Sequence, residues 1–501
     1  MEPRKLRIYD TLTRSLKAIE PLEPRHLRFY CCGPTVYNYA HIGNFRTFLS
    51  ADLVVRTAEA LGWRVSYVSN ITDVGHLTED DVADAGGEDR MEKALRSKEG
   101  ERFVNVWDLA SHYIDALKRD WRSLNLREPM VRPRATEHLR EQILGVQSLI
   151  EKGHAYVTDS GVYFNVSSFR DYGRLSGNRD QDSLMRAVRD VVQDDNKRHP
   201  ADFALWKHDE KHLMQFYSPW GWGFPGWHIE CSVMAMKYLG ETIDLHAGGE
   251  DLVFPHHECE IAQSEALTGK PFSRQWMHTR FLQVDGERMS KSKGNFYTVH
   301  DLIEGKGVSP LALRYALISV PYSKPLNFTM QTLRDAEQAV ERLRLCDEVS
   351  SEAATSGGDG EDAVGKSLKS LYEEALDAMC DDLNTSVALA KVYEGTRVIL
   401  REQSGMSQAS GRSGQEFLQN VQGLLGIVRP EYETCAGSST DNGADLDEDG
   451  IEERIRLRAE AKARGDYAAA DAIRDELAAE GIELRDSPEG TKWKRKSPLE
   501  A

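Results

Sequence analysis

Two short segments, far apart in the chain, carry residues suited to phosphate chemistry. His41–Asn44 (HIGN) lies between an apolar run and a predicted helix, and such a junction presents backbone N–H groups and a positive dipole end to a phosphate. Arg288–Asn295 (RMSKSKGN) follows the turn-forming pair Asp285-Gly286. Lysines on a mobile loop can close on the negative charge that develops when a polyphosphate is cleaved. Together the two segments predict a site for a nucleotide polyphosphate.

A further set of residues has the chemistry of a metal site. Residues that can bind a metal occur in three stretches: Cys31-Cys32, the segment around Cys231, and Pro255–Glu260 (PHHECE). On a helix, His256 and Glu260 lie one turn apart on the same face, and His256 and Cys259 are also neighbours. Thiolate, imidazole and carboxylate ligands around one ion favour Zn²⁺. Spacing alone leaves open the fourth ligand and the choice between Cys31 and Cys32.

The elements around these segments follow an α/β pattern. Residues 27–32 read as a strand, 48–61 as a helix and 65–68 as a second strand. A strand over 242–246, a turn at Gly248-Gly249 and a helix over 255–267 repeat the strand-turn-helix order. The predicted fold class is therefore α/β, with a Rossmann-like parallel-sheet catalytic domain that carries an insertion and is followed by C-terminal helical domains.

Helical periodicity and polar stretches predict the remaining organisation. One continuous helix is expected over 91–124, and Gly/Ser-rich linkers or surface loops are expected over 351–365, 403–414 and 435–450. The predicted domains are 1–125, the first catalytic half; 126–200, the insertion; 201–287, the second catalytic half with the metal site; 288–350, the loop and a stem-contact region; 366–430, a helical bundle; and 450–501, a C-terminal region.

The motifs resemble those of a known family. His41–Asn44 and Arg288–Asn295 are similar to the HIGH and KMSKS signatures of class I aminoacyl-tRNA synthetases, with Asn44 in place of the last His and Arg288 in place of the first Lys. Five segments resemble, in order, motifs of the cysteinyl-tRNA synthetases: Cys32–Tyr37 (CGPTVY), Asn70–Asp73 (NITD), Gly226–Ser232 (GWHIECS), Asp244–Glu258 (DLHAGGEDLVFPHHE) and Arg288–Asn295. This resemblance spans most of residues 27–320 and weakens toward the end.

The resemblance implies a set of site residues. It implies one Zn²⁺ per chain, held by Cys32, Cys231, His256 and Glu260, and Mg²⁺ bound with ATP. It places His41, Asn44 and Lys291 at the reacting phosphates, with Gly248, Gly249 and Asp251 completing the ATP site, and Thr72 and Trp227 beside the amino acid. Because zinc prefers sulfur to a hydroxyl, coordination of the substrate thiolate would reject serine.

The implied reaction is ATP-dependent activation of L-cysteine, followed by transfer to the 3′ end of cysteine tRNA. The resemblance implies a monomer whose regions after residue 300 contact the tRNA stem and anticodon. Two other interpretations stay open: the related cysteine ligase of mycothiol biosynthesis, and a silent zinc protein that binds tRNA. The long region 296–501 disfavours the first, and the retained His41 and Lys291 disfavour the second.

Composition limits these interpretations. The chain has 501 residues, 63 of them basic and 81 acidic, with a net charge of −18, which disfavours a general nucleic-acid binder. Two local basic stretches, Lys118–Arg134 and Lys492–Lys496, are candidate tRNA contacts. The alternatives are a solvated helix face for the first and a disordered terminus for the second. Seven scattered cysteines argue against a disulfide framework. No apolar run is long enough to span a membrane, and Met1–Pro24 has no apolar signal core. A cytoplasmic protein is therefore expected.

Overall fold

The computed structural model describes residues 4–77, 87–179, 196–210, 212–290, 293–432, 448–464, 466–479, 482–487 and 490–495. The chain forms two compact units, one of Met1–Asp301 with Ser309–Tyr432 and the other of Leu302–Val308 with Glu433–Ala501. Lys291, predicted at the phosphates, lies outside the described residues. Within the described ranges, every helix is too short or too polar to cross a membrane.

Strands and helices are mixed up to residue 328, and helices predominate after it. The strands are β1 (Arg7–Asp10), β2 (Ser15–Ala18), β3 (His26–Cys31), β4 (Arg64–Ser69), β5 (Ala155–Thr158), β6 (Gly161–Phe164), β7 (Phe203–Lys207), β8 (Phe216–Ser218), β9 (Gly221–Pro225), β10 (Leu245–Gly249), β11 (Trp276–Thr279), β12 (Leu282–Val284), β13 (Glu287–Arg288), β14 (Leu326–Phe328), β15 (Ile482–Ser487) and β16 (Gly490–Arg495). The described helices are α1 (Ile42–Ala60), α2 (Arg90–Leu95), α3 (Val106–Ser123), α4 (Leu139–Glu151), α5 (Trp227–Leu239), α6 (His256–Thr268), α7 (Pro310–Ile318), α8 (Met330–Ser356), α9 (Gly365–Cys380), α10 (Thr385–Glu402), α11 (Gln408–Leu425), α12 (Glu448–Ala463) and α13 (Tyr467–Ala479).

A parallel sheet of order β11-β10-β3-β4 forms the centre of the first unit. Cys31 of β3 pairs with Ala247 of β10, so the carboxyl ends of these two strands adjoin, which is where open α/β sheets bind ligands. The predicted strand-helix-strand unit at residues 27–68 is confirmed. The later strand is shifted from the predicted 242–246: Gly248 and Gly249 end β10, and the turn follows them at Glu250–Val253.

A second, antiparallel sheet of order β5-β6-β7-β9-β8 belongs to the predicted insertion. β6 pairs with β7, and β7 pairs with β9, so the sheet continues to Pro225 and crosses the boundary expected at residue 200. Its core packs Phe164, Phe203 and Trp206 against residues of α5 and α6. The insertion is thus built onto the helices that follow it.

Two predictions about helices were wrong. The stretch 91–124 contains two α-helices, and Asn105 caps the second by accepting hydrogen bonds from the N–H groups of Trp107 and Asp108. Most of 403–414 belongs to α11 and is not a linker. A Cβ at Gly411 would lie 2.4 Å from the Ala354 backbone nitrogen, so the glycine permits close packing of α11 on α8.

A buried ionic network ties α1 to the helical region. The Asp52 carboxylate accepts hydrogen bonds from Arg56, 2.8 Å away on the same helix, and from Arg314 of α7, 2.5 Å away. Arg56 in turn donates to Glu431, at 2.9 and 3.0 Å. The side chains of Asp52, Arg56 and Arg314 are fully buried. Buried charges of this kind are tolerated only when each is paired.

The second unit contains α12, α13 and the antiparallel hairpin β15-β16. The apolar pattern of residues 451–481 predicts two amphipathic segments on either side of residues 464–466, and α12 and α13 confirm it. The basic stretch from Lys492 was open as a disordered terminus, but residues 492–495 lie in β16. Trp493 packs against a small core of Ile451, Leu477 and Ile482.

Candidate active site and metal cluster

The N-terminus of α1 is closed by a reciprocal capping box. The Nδ1 atom of His41 accepts a hydrogen bond from the Asn44 backbone N–H, and the Asn44 Oδ1 atom accepts one from the His41 N–H, both at 3.1 Å. Because Nδ1 accepts, the neutral imidazole carries its proton on Nε2, which makes that atom a donor. The Asn44 amide closes the box through oxygen and keeps N–H donors on Nδ2.

A cavity of about 360 Å³ begins at this helix end. His41 and Asn44 line it together with Gly249, the last residue of β10, and Asp251 in the turn that follows. Gly248 lies behind this wall, since a Cβ there would come within 2.6 Å of the His257 ring. The structure therefore brings four of the predicted ATP-site residues together around one space.

The second signature also contributes to the cavity wall and approaches the N-terminus of α1, where a Cβ on Gly43 would lie 3.1 Å from the Met289 methyl group. Arg288 and Met289 line the cavity, and the Arg288 guanidinium lies over the Phe281 ring, 5.8 Å from its centroid. The Asn295 side chain ties the loop together, because its Oδ1 accepts from the Ser290 N–H at 2.8 Å and its Nδ2 donates to the Arg288 carbonyl at 3.3 Å. The predicted turn at Asp285-Gly286 is confirmed by positive φ angles of 50° and 79°.

Four predicted metal ligands meet in the core beside this cavity. The Cys32 and Cys231 sulfurs are 3.9 Å apart, the Cys32 sulfur is 3.6 Å from Glu260 Oε1, and His256 Nε2 is 3.1 Å from the same oxygen. All four ligand atoms lie within 4.8 Å of one another. Two thiols, an imidazole and a carboxylate in this arrangement fit a tetrahedral metal ion.

The cluster's electrostatics also suit a cation. Burial opposes ionisation of Cys231, but hydrogen bonds with Cys32 and His256 outweigh it and lower the pKa of the Cys231 thiol to about 6. Burial likewise disfavours protonation of His256, yet its hydrogen bonds with Cys231 and Glu260 raise its pKa to about 10. For Glu260, burial is outweighed by the charge of His246 and hydrogen bonds, which lower its pKa to about 2. Anionic sulfur and oxygen therefore face one another in the core.

Sequence reasoning missed a second group of ligand-type atoms. His246 and His257 form an alternative quartet with Cys32 and Glu260. His246 Nε2 lies 2.9 Å from Glu260 Oε2, and His257 Nδ1 lies 2.8 Å from His278 Nε2. Such partners orient a carboxylate that holds a metal. His246 and His257 stand within the motif Asp244–Glu258, but their spacing alone does not distinguish ligands from supporting residues.

The structure also shows which of the cysteines that spacing could not distinguish belong to the metal cluster. Cys31 and Cys259 are both buried, and neither belongs to a ligand quartet found among the described residues. The Cys259 sulfur lies 3.4 Å from the Tyr172 hydroxyl, in the core shared with the insertion. Cys31 is the last residue of β3, whereas Cys32 lies just beyond the strand and lines the cavity.

Of the two residues predicted beside the amino acid, Trp227 lines the cavity and Thr72 does not. The Thr72 hydroxyl donates to Glu230 at 3.0 Å and accepts from the Asn70 amide at 3.3 Å. The Trp227 ring lines the cavity and lies 4.2 Å from the rings of both His76 and His256. The sequence interpretation did not single out His76 or Glu230.

Solved structures share this architecture. A Mycobacterium tuberculosis methionyl-tRNA synthetase in complex with methionyl-adenylate aligns with 80% of this chain and 92% of its own, at 13% identity and a TM-score of 0.57. A LeuRS of Agrobacterium radiobacter K84, in a ternary complex with tRNA and LeuAMS, aligns with 81% of this chain and 85% of its own, at 12% identity and a TM-score of 0.58. At such identities the likeness shows the fold alone, and that fold is the one found in class I aminoacyl-tRNA synthetases.

Sequence comparison narrows the class to one family. Residues 18–338 match the family of tRNA synthetases class I (C) catalytic domains, and residues 376–429 match the DALR domain. Two relatives, each a cysteine–tRNA ligase, are 55% identical (Salinibacter ruber) and 42% identical (Chlorobaculum tepidum), with 98% of this chain and 99% of each relative aligned. The chain belongs to the cysteine–tRNA ligase family of class I aminoacyl-tRNA synthetases. The resemblance stated from the motifs is thereby confirmed, as is the predicted fold class.

Proposed function

We propose that this protein activates L-cysteine with ATP and transfers the cysteinyl group to the 3′ end of cysteine tRNA. The observation that carries the proposal is that the metal cluster and the nucleotide cavity adjoin. Cys32 belongs to the ligand quartet and also lines the cavity at the α1 N-terminus. A cysteine with its sulfur at the quartet would therefore present its carboxylate toward the phosphates of a nucleotide in the cavity.

We propose that the metal is Zn²⁺, one per chain, held by Cys32, Cys231, His256 and Glu260. The donor set of two thiolates, an imidazole and a carboxylate supports this identity, since harder oxygen-preferring ions do not favour sulfur ligands. When bound, the ion supplies a site that prefers the substrate thiolate to the hydroxyl of serine. His228 contacts the second imidazole nitrogen of His256 at 2.9 Å, which orients that ring.

The chain's own residues position the nucleotide and stabilise charge. His41 Nε2 and the Asn44 amide donate to phosphate oxygens from the α1 N-terminus, and Lys291 of the second signature supplies a cation. Gly249 and Asp251 accommodate the nucleoside at the carboxyl end of β10. Gly248 packs on His257 and so fixes the shape of this strand end. Mg²⁺ accompanies ATP.

The first step requires no nucleophile from the protein. The cysteine carboxylate, which is ionised at neutral pH, attacks the α-phosphorus, and pyrophosphate leaves with the electron pair of the broken bond. In the second step, the terminal ribose hydroxyl of the tRNA attacks the acyl carbon and AMP leaves. Catalysis therefore rests on orientation and on charge stabilisation.

Thr72 and Trp227 hold the amino-acid end. Because the Thr72 hydroxyl donates to Glu230 and accepts from Asn70, its oxygen has a second lone pair directed by these bonds, and that lone pair suits the substrate ammonium. Trp227 packs between the His76 and His256 rings and forms an apolar wall. This wall excludes water from the carboxylate that reacts.

The regions after the second signature serve the tRNA. The family assignment supports regions 288–350, 366–430 and 450–501 as contacts to the stem and anticodon, with the catalytic halves at 1–125 and 201–287 separated by the insertion. With a net charge of −18, binding depends on local basic patches and weakens as salt rises. We propose a monomer that acts in the cytoplasm, as family likeness suggests.

The first test is ATP–pyrophosphate exchange on purified protein, with cysteine and serine compared and the metal content measured on the same sample. We expect exchange with cysteine, at least about 100-fold slower exchange with serine, and about one zinc per chain. No exchange from zinc-loaded protein would refute the activation step. Equal exchange with serine would refute the role of the metal in selection.

A further inference from the structure

Arg46 is a buried cation on α1, immediately after the first signature. Its side chain is nearly inaccessible to solvent, with only 2% of the residue exposed. Its guanidinium donates to main-chain carbonyls of two separate segments: to Arg280 at 2.7 Å and Phe281 at 2.9 Å through Nη1, and to Pro321 at 3.3 Å and Lys324 through Nη2. A planar fork with fixed donors can bridge two such pairs at once.

Every backbone N–H and carbonyl group of Arg280 and Phe281 forms a hydrogen bond. The Arg280 N–H donates to the Tyr322 carbonyl at 2.9 Å, and the Phe281 N–H donates to Glu250 Oε1 at 2.5 Å. The two carbonyls accept from Arg46. The Arg280 side chain also forms an ion pair with Glu250 at 2.8 Å. Arg46 and Glu250 thus both hold this short connection between β11 and β12, Arg46 through its carbonyls and Glu250 through the Phe281 N–H and the Arg280 side chain.

The held segment is a wall of the cavity. Arg280, Phe281 and Leu282 line it, and β12 leads from them directly to the second signature. Arg46 lies only two residues beyond Asn44, which lines the same cavity. One side chain therefore connects α1, the helix that begins at the cavity, to the segment Arg280–Leu282 that lines it.

We infer that Arg46 is a positioning residue for ATP: it fixes the Arg280–Leu282 wall of the nucleotide cavity to α1. The inference rests on the proposed function for the identity of the nucleotide. The inference predicts an effect on ATP binding and none on cysteine binding. The reason is that Arg46 contacts the nucleotide wall and does not contact the metal quartet or Trp227. Burial lowers the pKa of Arg46 to about 10, so the guanidinium is still charged at neutral pH.

The test is Arg46→Lys, which keeps a cation but cannot reach both carbonyl pairs. The measurements are the KM values for ATP and for cysteine in pyrophosphate exchange, the Kd for ATP alone by calorimetry, the zinc content and the Tm. We expect the KM and Kd for ATP to rise about tenfold, or about 1.4 kcal/mol of binding free energy, because a displaced wall makes poorer contacts with the nucleotide. The KM for cysteine and the zinc content should stay at their wild-type values.

Arg56→Lys is the matched control, because Arg56 is a second buried arginine of the same helix that bonds only to groups away from the cavity wall. It should lower the Tm and leave both KM values unchanged. If Arg46→Lys does not fold, Glu250→Ala provides the alternative test. It removes the contacts of Glu250 with the same wall and should raise the KM for ATP alone.

Either of two results overturns the inference: wild-type ATP constants in folded Arg46→Lys, or a parallel rise in the constants for ATP and cysteine. Wild-type protein that binds ATP but shows no cysteine-dependent exchange would refute the proposed function instead. In that case the ATP Kd of Arg46→Lys would still decide the role of this residue.

Discussion

Replacing Cys231 with alanine is expected to remove the metal and to lower cysteine-dependent exchange by more than about 100-fold, because loss of even an outer partner of a metal ligand costs about 10- to 100-fold. The Cys231 sulfur lies within 4.8 Å of the ligand atoms of Cys32, His256 and Glu260. Its loss leaves three of the four ligand side chains, too few to fill a tetrahedral metal site. Metal content by mass spectrometry and exchange rates measure the two effects.

Cys259→Ala is the matched control for this prediction. Cys259 is as buried as Cys231 and follows His256 by only three residues, but its sulfur contacts the Tyr172 hydroxyl in the insertion core. The substitution should cost some stability and leave the zinc content and the KM for cysteine unchanged. Loss of zinc from Cys259→Ala, with zinc kept in Glu260→Ala, would show that the ligand assignment is wrong.

Asp52→Asn is expected to lower the free energy of unfolding by about 3–5 kcal/mol, the usual cost of removing one partner from a buried ion pair. Asp52 lies between the fully buried guanidinium groups of Arg56 and Arg314. Without its charge, two cations face each other in the core with only Glu431 and main-chain carbonyls as partners. Urea unfolding followed by circular dichroism measures the change.

The effect of Asp52→Asn should also depend on pH. Burial raises the pKa of Asp52, but the charges of Arg56 and Arg314 outweigh it, so the pKa of the folded state lies below the ordinary value. The stabilisation is therefore complete above the unfolded pKa of about 4 and is lost as the pH falls through the folded one. The difference between wild type and Asp52→Asn should narrow only in acid.

Glu341→Gln provides the comparison for an exposed pair. Glu341 and Arg344 form an ion pair on α8, with side chains 64% and 61% exposed, and such pairs contribute within about 1 kcal/mol. If Asp52→Asn were no more destabilising than Glu341→Gln, the buried network would not stabilise the junction of α1 with the helical region.

Local signals in the sequence determined much of the fold. The unit at residues 27–68 was predictable because its apolar runs, the break at Gly33-Pro34 and the helical spacing after residue 48 are all local. The Asp285-Gly286 turn and the pair of helices around residues 464–466 were predictable for the same reason. The break inside 91–124 was missed although Asn105, a favoured N-cap residue, marks it. The Gly/Ser-rich start of α11 was misread because close helix packing needs the same small residues as a flexible linker.

By itself, the sequence determined the family and the kinds of ligand atom available, since motif order and residue type are properties of the chain. Only the tertiary structure decided which cysteines meet: Cys32 and Cys231 are far apart in the chain, yet their sulfurs lie 3.9 Å apart. It also turned Cys259 toward the insertion core and brought His246 beside Glu260. The physical reason is that these contacts depend on how the sheet, α5 and α6 pack together, and packing between distant elements leaves no periodic trace in the sequence.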